Sequence, residues 1–147
     1  MFSNLNTSKV TNMSWMFSEC RIPYLNLDFD TSNVEDMSHM FECCKAKYMN
    51  LSKFNTTKVE TMEAMFRKCI TPSLNLMSFN TRNVRYFISM FEECESKDVK
   101  FDLDVRGTVK ALVAEDKIFR KSYIPFEFEL SSNNRIIRIK SRRKAQT

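Results

Sequence analysis

One glycine and three prolines in 147 residues leave little room for flexible linkers, and the single glycine rules out a glycine-rich loop that would cradle phosphate. Histidine is just as scarce. His39 stands alone, so a zinc site of mixed Cys and His ligands is short of partners, and a catalytic base at this position has no nucleophile in register with it. Ser, His and Asp occur, but in no nucleophile-elbow context, and no D-x-D-x-D-G calcium loop accompanies Asp28, Asp30, Glu35 and Asp36. The sequence therefore predicts no enzyme, with no catalytic residue, no cofactor and no metal site. No apolar run approaches the length of a membrane span. The opening Met1-Phe2-Ser3-Asn4-Leu5-Asn6 has neither the basic start nor the apolar stretch of a cleaved leader, which predicts a chain retained where it is made or packaged in a particle.

What the chain does have is a repeat. Val10, Met13, Met16, Phe17 and Cys20 recur as Val34, Met37, Met40, Phe41 and Cys44, then Val59, Met62, Met65, Phe66 and Cys69, then Val84, Phe87, Met90, Phe91 and Cys94. A period of 24 to 25 residues marks units that cannot bury an apolar face alone and must stack side by side. Within each unit the spacing i, i+3, i+6, i+7 predicts a short helix with one buried stripe. Five and seven residues beyond each Cys lie Leu25 and Leu27, Met49 and Leu51, Leu74 and Leu76, and Val99 and Phe101. That alternation predicts strands near 24–28, 48–52, 73–77 and 98–102, paired as one parallel sheet. Ser32 with Glu35, and Thr57 with Glu60, fit helix capping boxes.

The wording from Phe29 to Cys44, FDTSNVEDMSHMFECC, resembles the BspA-like leucine-rich repeats, whose units read much like FDTSNVTDMSxMFxxC followed by LxxLDLS. The resemblance covers roughly residues 5–104. Such repeats are found on the surfaces of mycoplasmas and oral bacteria, and in protists and large DNA viruses. It implies a curved solenoid with a parallel sheet and a binding or adhesive role. The expected fold class is thus an α/β repeat: a leucine-rich-repeat-like solenoid with short helices and a parallel sheet over residues 1–104, closed by a β-rich cap over 105–147.

Charge divides along the same line. Residues 1–104 hold 12 Lys and Arg against 14 Asp and Glu, whereas residues 105–147 hold 11 against 4. In the second part, Val99 to Val105 and Val109 to Val113 alternate about Arg106-Gly107, and Tyr123–Leu130 and Arg135–Lys140 flank Ser131–Asn134, predicting two antiparallel hairpins. Arg135, Arg138, Lys140, Arg142, Arg143 and Lys144 then place six cations and no anion in the last 13 residues. Such a run can serve as a solubilising tail, dock an acidic protein face, or bind the phosphates of nucleic acid or an anionic surface. It carries no aromatic residue on which single-stranded bases could stack.

Cys20, Cys44, Cys69 and Cys94 are expected as a reduced, unligated packing column, with Cys43 outside it. His39 is expected to face solvent. Asn26, Asn50, Asn75 and Lys100 fall between the buried strand positions, one per unit, and form the expected partner-binding row. A second contact is expected where Met1, Phe2 and Leu5 either fold over the first repeat or leave it for another chain. The function these features predict is a non-enzymatic protein-interaction or structural assembly module. Polyanion docking through the basic tail, and adhesion at a cell surface, stand as the alternatives.

Overall fold

In a computed structural model, residues 5–108 and 115–142 are described. The segment that follows each repeat Val is a chain of tight turns, and the hydrogen bonds explain why. In the second repeat Met37, His39, Phe41 and Cys43 donate their N–H groups to Thr61, Glu63, Met65 and Arg67 of the third, at 2.9–3.1 Å. The intervening amides of Met40, Glu42 and Cys44 close onto carbonyls three residues back, at 3.1–3.3 Å. An amide committed to the neighbouring repeat cannot donate to the carbonyl four residues behind it, so no helical ladder forms. His39 and Cys43 are also left-handed, with φ of 56° and 58°, as are Trp15, Glu19, Ala64, Lys68, Ser89 and Glu93 at the equivalent positions. A left-handed residue at every fourth position breaks an α-helix, at a cost of about 1–2 kcal/mol each that the bonds between repeats must offset.

This overturns the expected α/β repeat with short helices. Among the described residues the one α-helix is α1, Glu115–Ile118, a single turn beyond the four repeats. The capping boxes go with the helices. Ser32 and Thr57 instead close turns by donating backbone N–H to Asp30 and Asn55 side chains, at 2.8 and 3.1 Å. Buried Thr31 and Thr56 bridge successive repeats through Oγ1 to the carbonyls of Asn55 and Asn80, at 3.0 and 2.9 Å.

Nor does one leucine-rich-repeat-like sheet run the length of the stack, and the strands do not close a solenoid. Strand β1 (Tyr24–Asn26) pairs in parallel with β2 (Tyr48–Asn50), and β3 (Ser73–Asn75) with β4 (Asp98–Lys100), as two separate two-stranded sheets. The break has a local cause. Lys47 donates to Pro23 and Lys97 to Pro72, at 2.8 and 3.2 Å, but the residue in register with Lys47 is Pro72, which has no N–H to give.

The core lies between strands and turns as columns of like residues. Phe17, Phe41, Phe66, Phe91 and Phe119 stack at centroid spacings of 5.6, 5.5, 5.8 and 5.4 Å. Phe29, Phe54 and Phe79 make a second column. Phe119 belongs to a fifth, degenerate unit that the sequence period does not show. Ser89, Phe91 and Glu93 donate to Lys117, Ile118 and Arg120, as each earlier repeat does to its successor. Ile118-Phe119 replaces Met-Phe, and Ser122 replaces Cys, closing onto the Phe119 carbonyl at 2.8 Å.

Beyond it, β5 (Asp102–Asp104), β6 (Phe126–Leu130) and β7 (Ile136–Ser141) form an antiparallel sheet in the order β5-β7-β6. The hairpin expected between 99–105 and 109–113 is not seen in its described arm. Residues 98–100 pair with β3, 102–104 pair with β7, and Val109, Ala111 and Val113 lie outside the described residues.

Candidate functional site

The pleat of the short strands sorts their side chains. Leu25, Met49 and Leu74 are buried, and the residues flanking them face outward. Asn26, Asn75 and Lys100 are exposed and Asn50 is half-buried. Asn50 Nδ2 donates to Asn26 Oδ1 at 3.0 Å, and its Oδ1 accepts the Ser52 N–H at 2.9 Å; Asn75 Oδ1 accepts the Met77 N–H at 3.0 Å. The expected row therefore exists as two pairs, Asn26 with Asn50 and Asn75 with Lys100, one on each two-stranded sheet. Beside it runs a row that sequence reasoning missed. Tyr24 and Tyr48, directly paired across β1 and β2, are 65% and 50% exposed, and Ser73 and Asp98 are their exposed counterparts. The signal was available: each lies two residues before an Asn or Lys of the row, hence on the same face.

A second organised surface lies on the turns. Glu42, Arg67, Glu92 and Arg120 occupy one column in successive units and alternate in sign. Arg67 reaches Glu42 at 2.7 Å through Nη1 and Glu92 at 2.6 Å through Nε, and Arg120 approaches Glu92 at 3.8 Å. Burial alone would raise the Glu92 carboxyl, but the hydrogen bond and charge of Arg67, helped by Arg120, hold it below its ordinary value. His39, expected to face solvent, is instead half-buried: its ring stacks on Trp15 at 3.9 Å and its Nδ1 lies 2.5 Å from Glu42 Oε2.

The basic segment is less cationic in space than along the chain. Arg138 Nε donates to Asp102 at 2.7 Å and Nη1 lies 3.9 Å from Asp104; Lys140 pairs with Glu129 at 2.7 Å. The Glu129 hydrogen bond raises the Lys140 ammonium above its ordinary value, and the Arg106 hydrogen bond holds Asp104 low. Arg135 and Arg142 are exposed, while Arg143 and Lys144 lie outside the described residues. Arg142 rims a shallow groove along β6 with Ile124, Pro125, Phe126 and Phe128.

Cys44, Cys69 and Cys94 are buried, and Cys20 and Cys43 are half-buried. Among the described residues no group of three or more His, Cys, Asp or Glu could hold a metal ion, and no helix is long and apolar enough to cross a membrane. A family model described as "Mycoplasma protein of unknown function, DUF285" matches residues 25–122. No curated protein and no solved structure matches.

Proposed function

Since the chain belongs to the DUF285 family, whose description assigns no activity, we propose that it is a non-enzymatic protein-binding or assembly module that engages its partner along the strand face. The observation that carries this reading is the pair of outward rows, Tyr24, Tyr48, Ser73 and Asp98 beside Asn26, Asn50, Asn75 and Lys100. Exposed tyrosines give rigid contact area with a polar tip, and the neighbouring amides give hydrogen bonds that fix register; protein-binding surfaces are enriched in the former. The BspA-like resemblance supports the same reading, since those repeats are associated with binding and adhesion. Docking on a polyanion is the weaker alternative, because Arg138 and Lys140 already have carboxylate partners.

The test is capture by the immobilised chain from a lysate of the cell that makes it, with the bound protein identified by mass. Asn50→Arg with Asn75→Arg should abolish capture while the chain stays folded, with the melting temperature lowered by several degrees at most through the lost bonds to Asn26, Ser52 and Met77. Arg135→Ala with Arg142→Ala should weaken it at low salt only, as steering charges do. Capture unchanged by the Asn pair would refute the strand face as the site.

A further inference from the structure

The strand face is not uniform in charge, and its charge specifies a partner. Two successive amides, of Lys47 and Tyr48, donate to the one carbonyl of Pro23, at 2.8 and 3.0 Å, a bulge that interrupts the in-and-out alternation at the start of β2. Ala46 and Met49 are buried on either side of it, so Lys45, Lys47 and Tyr48 all project outward. The Lys45 N–H donates to the Cys20 carbonyl at 2.9 Å, which sets exposed Arg21 beside Lys45 as Tyr24 sits beside Tyr48. Three cations thus stand ahead of the two exposed tyrosines, and none has a side-chain partner among the described residues. The rest of the face differs. In the next two repeats Ile70 and Glu95 take the places of Arg21 and Lys45, and Glu95 and Asp98 offset Lys97 and Lys100. Along the first strand, exposed Asp28 lies two residues beyond Asn26, past buried Leu27. Unpaired positive charge is therefore confined to one corner of the face, with carboxylates beyond the tyrosines and on the neighbouring sheet.

We propose, resting on the strand-face reading above, that this corner binds an extended protein segment that is acidic at one end and apolar at the other, lying along β1 and β2. Its carboxylates meet Arg21, Lys45 and Lys47, its apolar or proline residues lie on Tyr24 and Tyr48, and its backbone reaches the Asn26 and Asn50 amides. The strands set its length: Lys45 to Asn50 spans about 16 Å at roughly 3.3 Å per residue, which matches about five extended residues. A strand of nucleic acid suits the face poorly. Its charge is uniform, so its phosphates run on past the cations to Asp28, or across to Glu95 and Asp98, where like charges repel.

The probe is a fluorescent peptide of three glutamates followed by Pro-Leu-Pro, titrated into the full chain at low salt and followed by anisotropy. Saturable one-to-one binding is expected. Lys45→Glu with Lys47→Glu should weaken it about 25-fold, from roughly fivefold for each attraction turned into repulsion. Tyr24→Ser with Tyr48→Ser should weaken it about tenfold. Arg82→Glu with Arg85→Glu, an equal change of net charge outside the corner, should leave it unchanged. All three variants should melt within about 5 °C of the parent, because the altered side chains are exposed. The proposal is overturned if the peptide does not bind, if lysines in place of its glutamates bind as well, or if the Lys45 and Lys47 reversal has no effect. Tighter binding of a short oligothymidylate at the same residues would overturn it in favour of nucleic acid. The lysate capture separates this proposal from the reading beneath it. Capture lost with the Asn50 and Asn75 changes but kept with the lysine reversal overturns the acidic partner alone, whereas capture kept with both overturns the strand face as well.

Discussion

Truncating Phe66 tests the stacked columns most directly. Its ring is wholly buried and lies between Phe41 at 5.5 Å and Phe91 at 5.8 Å, nearly parallel to both. Phe66→Ala removes the ring from both neighbours at once, and a truncation of this kind in a packed core costs about 3–5 kcal/mol. Unfolding entropy of about 2.1 cal/mol/K per residue gives roughly 0.3 kcal/mol/K for this chain, so the melting temperature should fall by about 10–16 °C. Phe66→Leu keeps much of the volume but neither stack, and should fall in between. Phe128→Ala is the control. That ring is 38% exposed on β6 and should cost under about 1.5 kcal/mol. The measurement is thermal unfolding by circular dichroism, with Phe41→Ala alongside. A Phe66→Ala melt within about 3 °C of the parent, or a Phe128→Ala loss as large, would refute the column as the source of stability.

Other measurements probe the charged ladder, the thiols and the basic segment. Glu92 is held below its ordinary carboxyl value of 4.5 in the folded chain, so its contribution to stability is present above that value and is lost as pH falls through the depressed one. Glu92→Gln should accordingly flatten the acid limb of melting temperature against pH below about 4.5; an unchanged limb would remove the ladder from the acid response. Burial pushes the Cys94 thiol up to about 12, and Cys69 is also raised, so a thiol reagent at pH 8 should label half-buried Cys20 and Cys43 first. Equal rates at all five cysteines would contradict the buried column. Arg138→Ala should cost about 1 kcal/mol, seen as a melting shift of about 3 °C, while Arg142→Ala should leave stability alone; equal shifts would show that the Asp102 pairing contributes nothing.

How far the chain could be read depended on where each residue's partners lie. The period, the Met, Phe and Cys columns and the outward Asn and Lys positions follow from local spacing, and the burial of Phe41, Met40, Cys44 and their counterparts in the third and fourth repeats follows with them. The helix did not follow. A spacing of i, i+3, i+6, i+7 suits one stripe of a helix and equally a flat run of turns; the choice lay with amides whose acceptors in the next repeat are 23 or 24 residues away. The scarcity of glycine concealed those turns, because Trp15, Glu19, His39 and Cys43 adopt left-handed backbone without it.

The fifth unit was hidden for a related reason. Phe119 comes 28 residues after Phe91, off the period, with Ile118 and Ser122 where Met and Cys would signal a repeat. Sequence counted six cations in the tail, but only the fold set Asp102 and Glu129 beside Arg138 and Lys140. Sequence alone thus determined which side chains are apolar and how often they recur, since both are properties of the chain taken locally. Tertiary structure decided which backbone conformation those side chains ride on, because a backbone amide makes one strong hydrogen bond and here the neighbouring repeat supplies the acceptor.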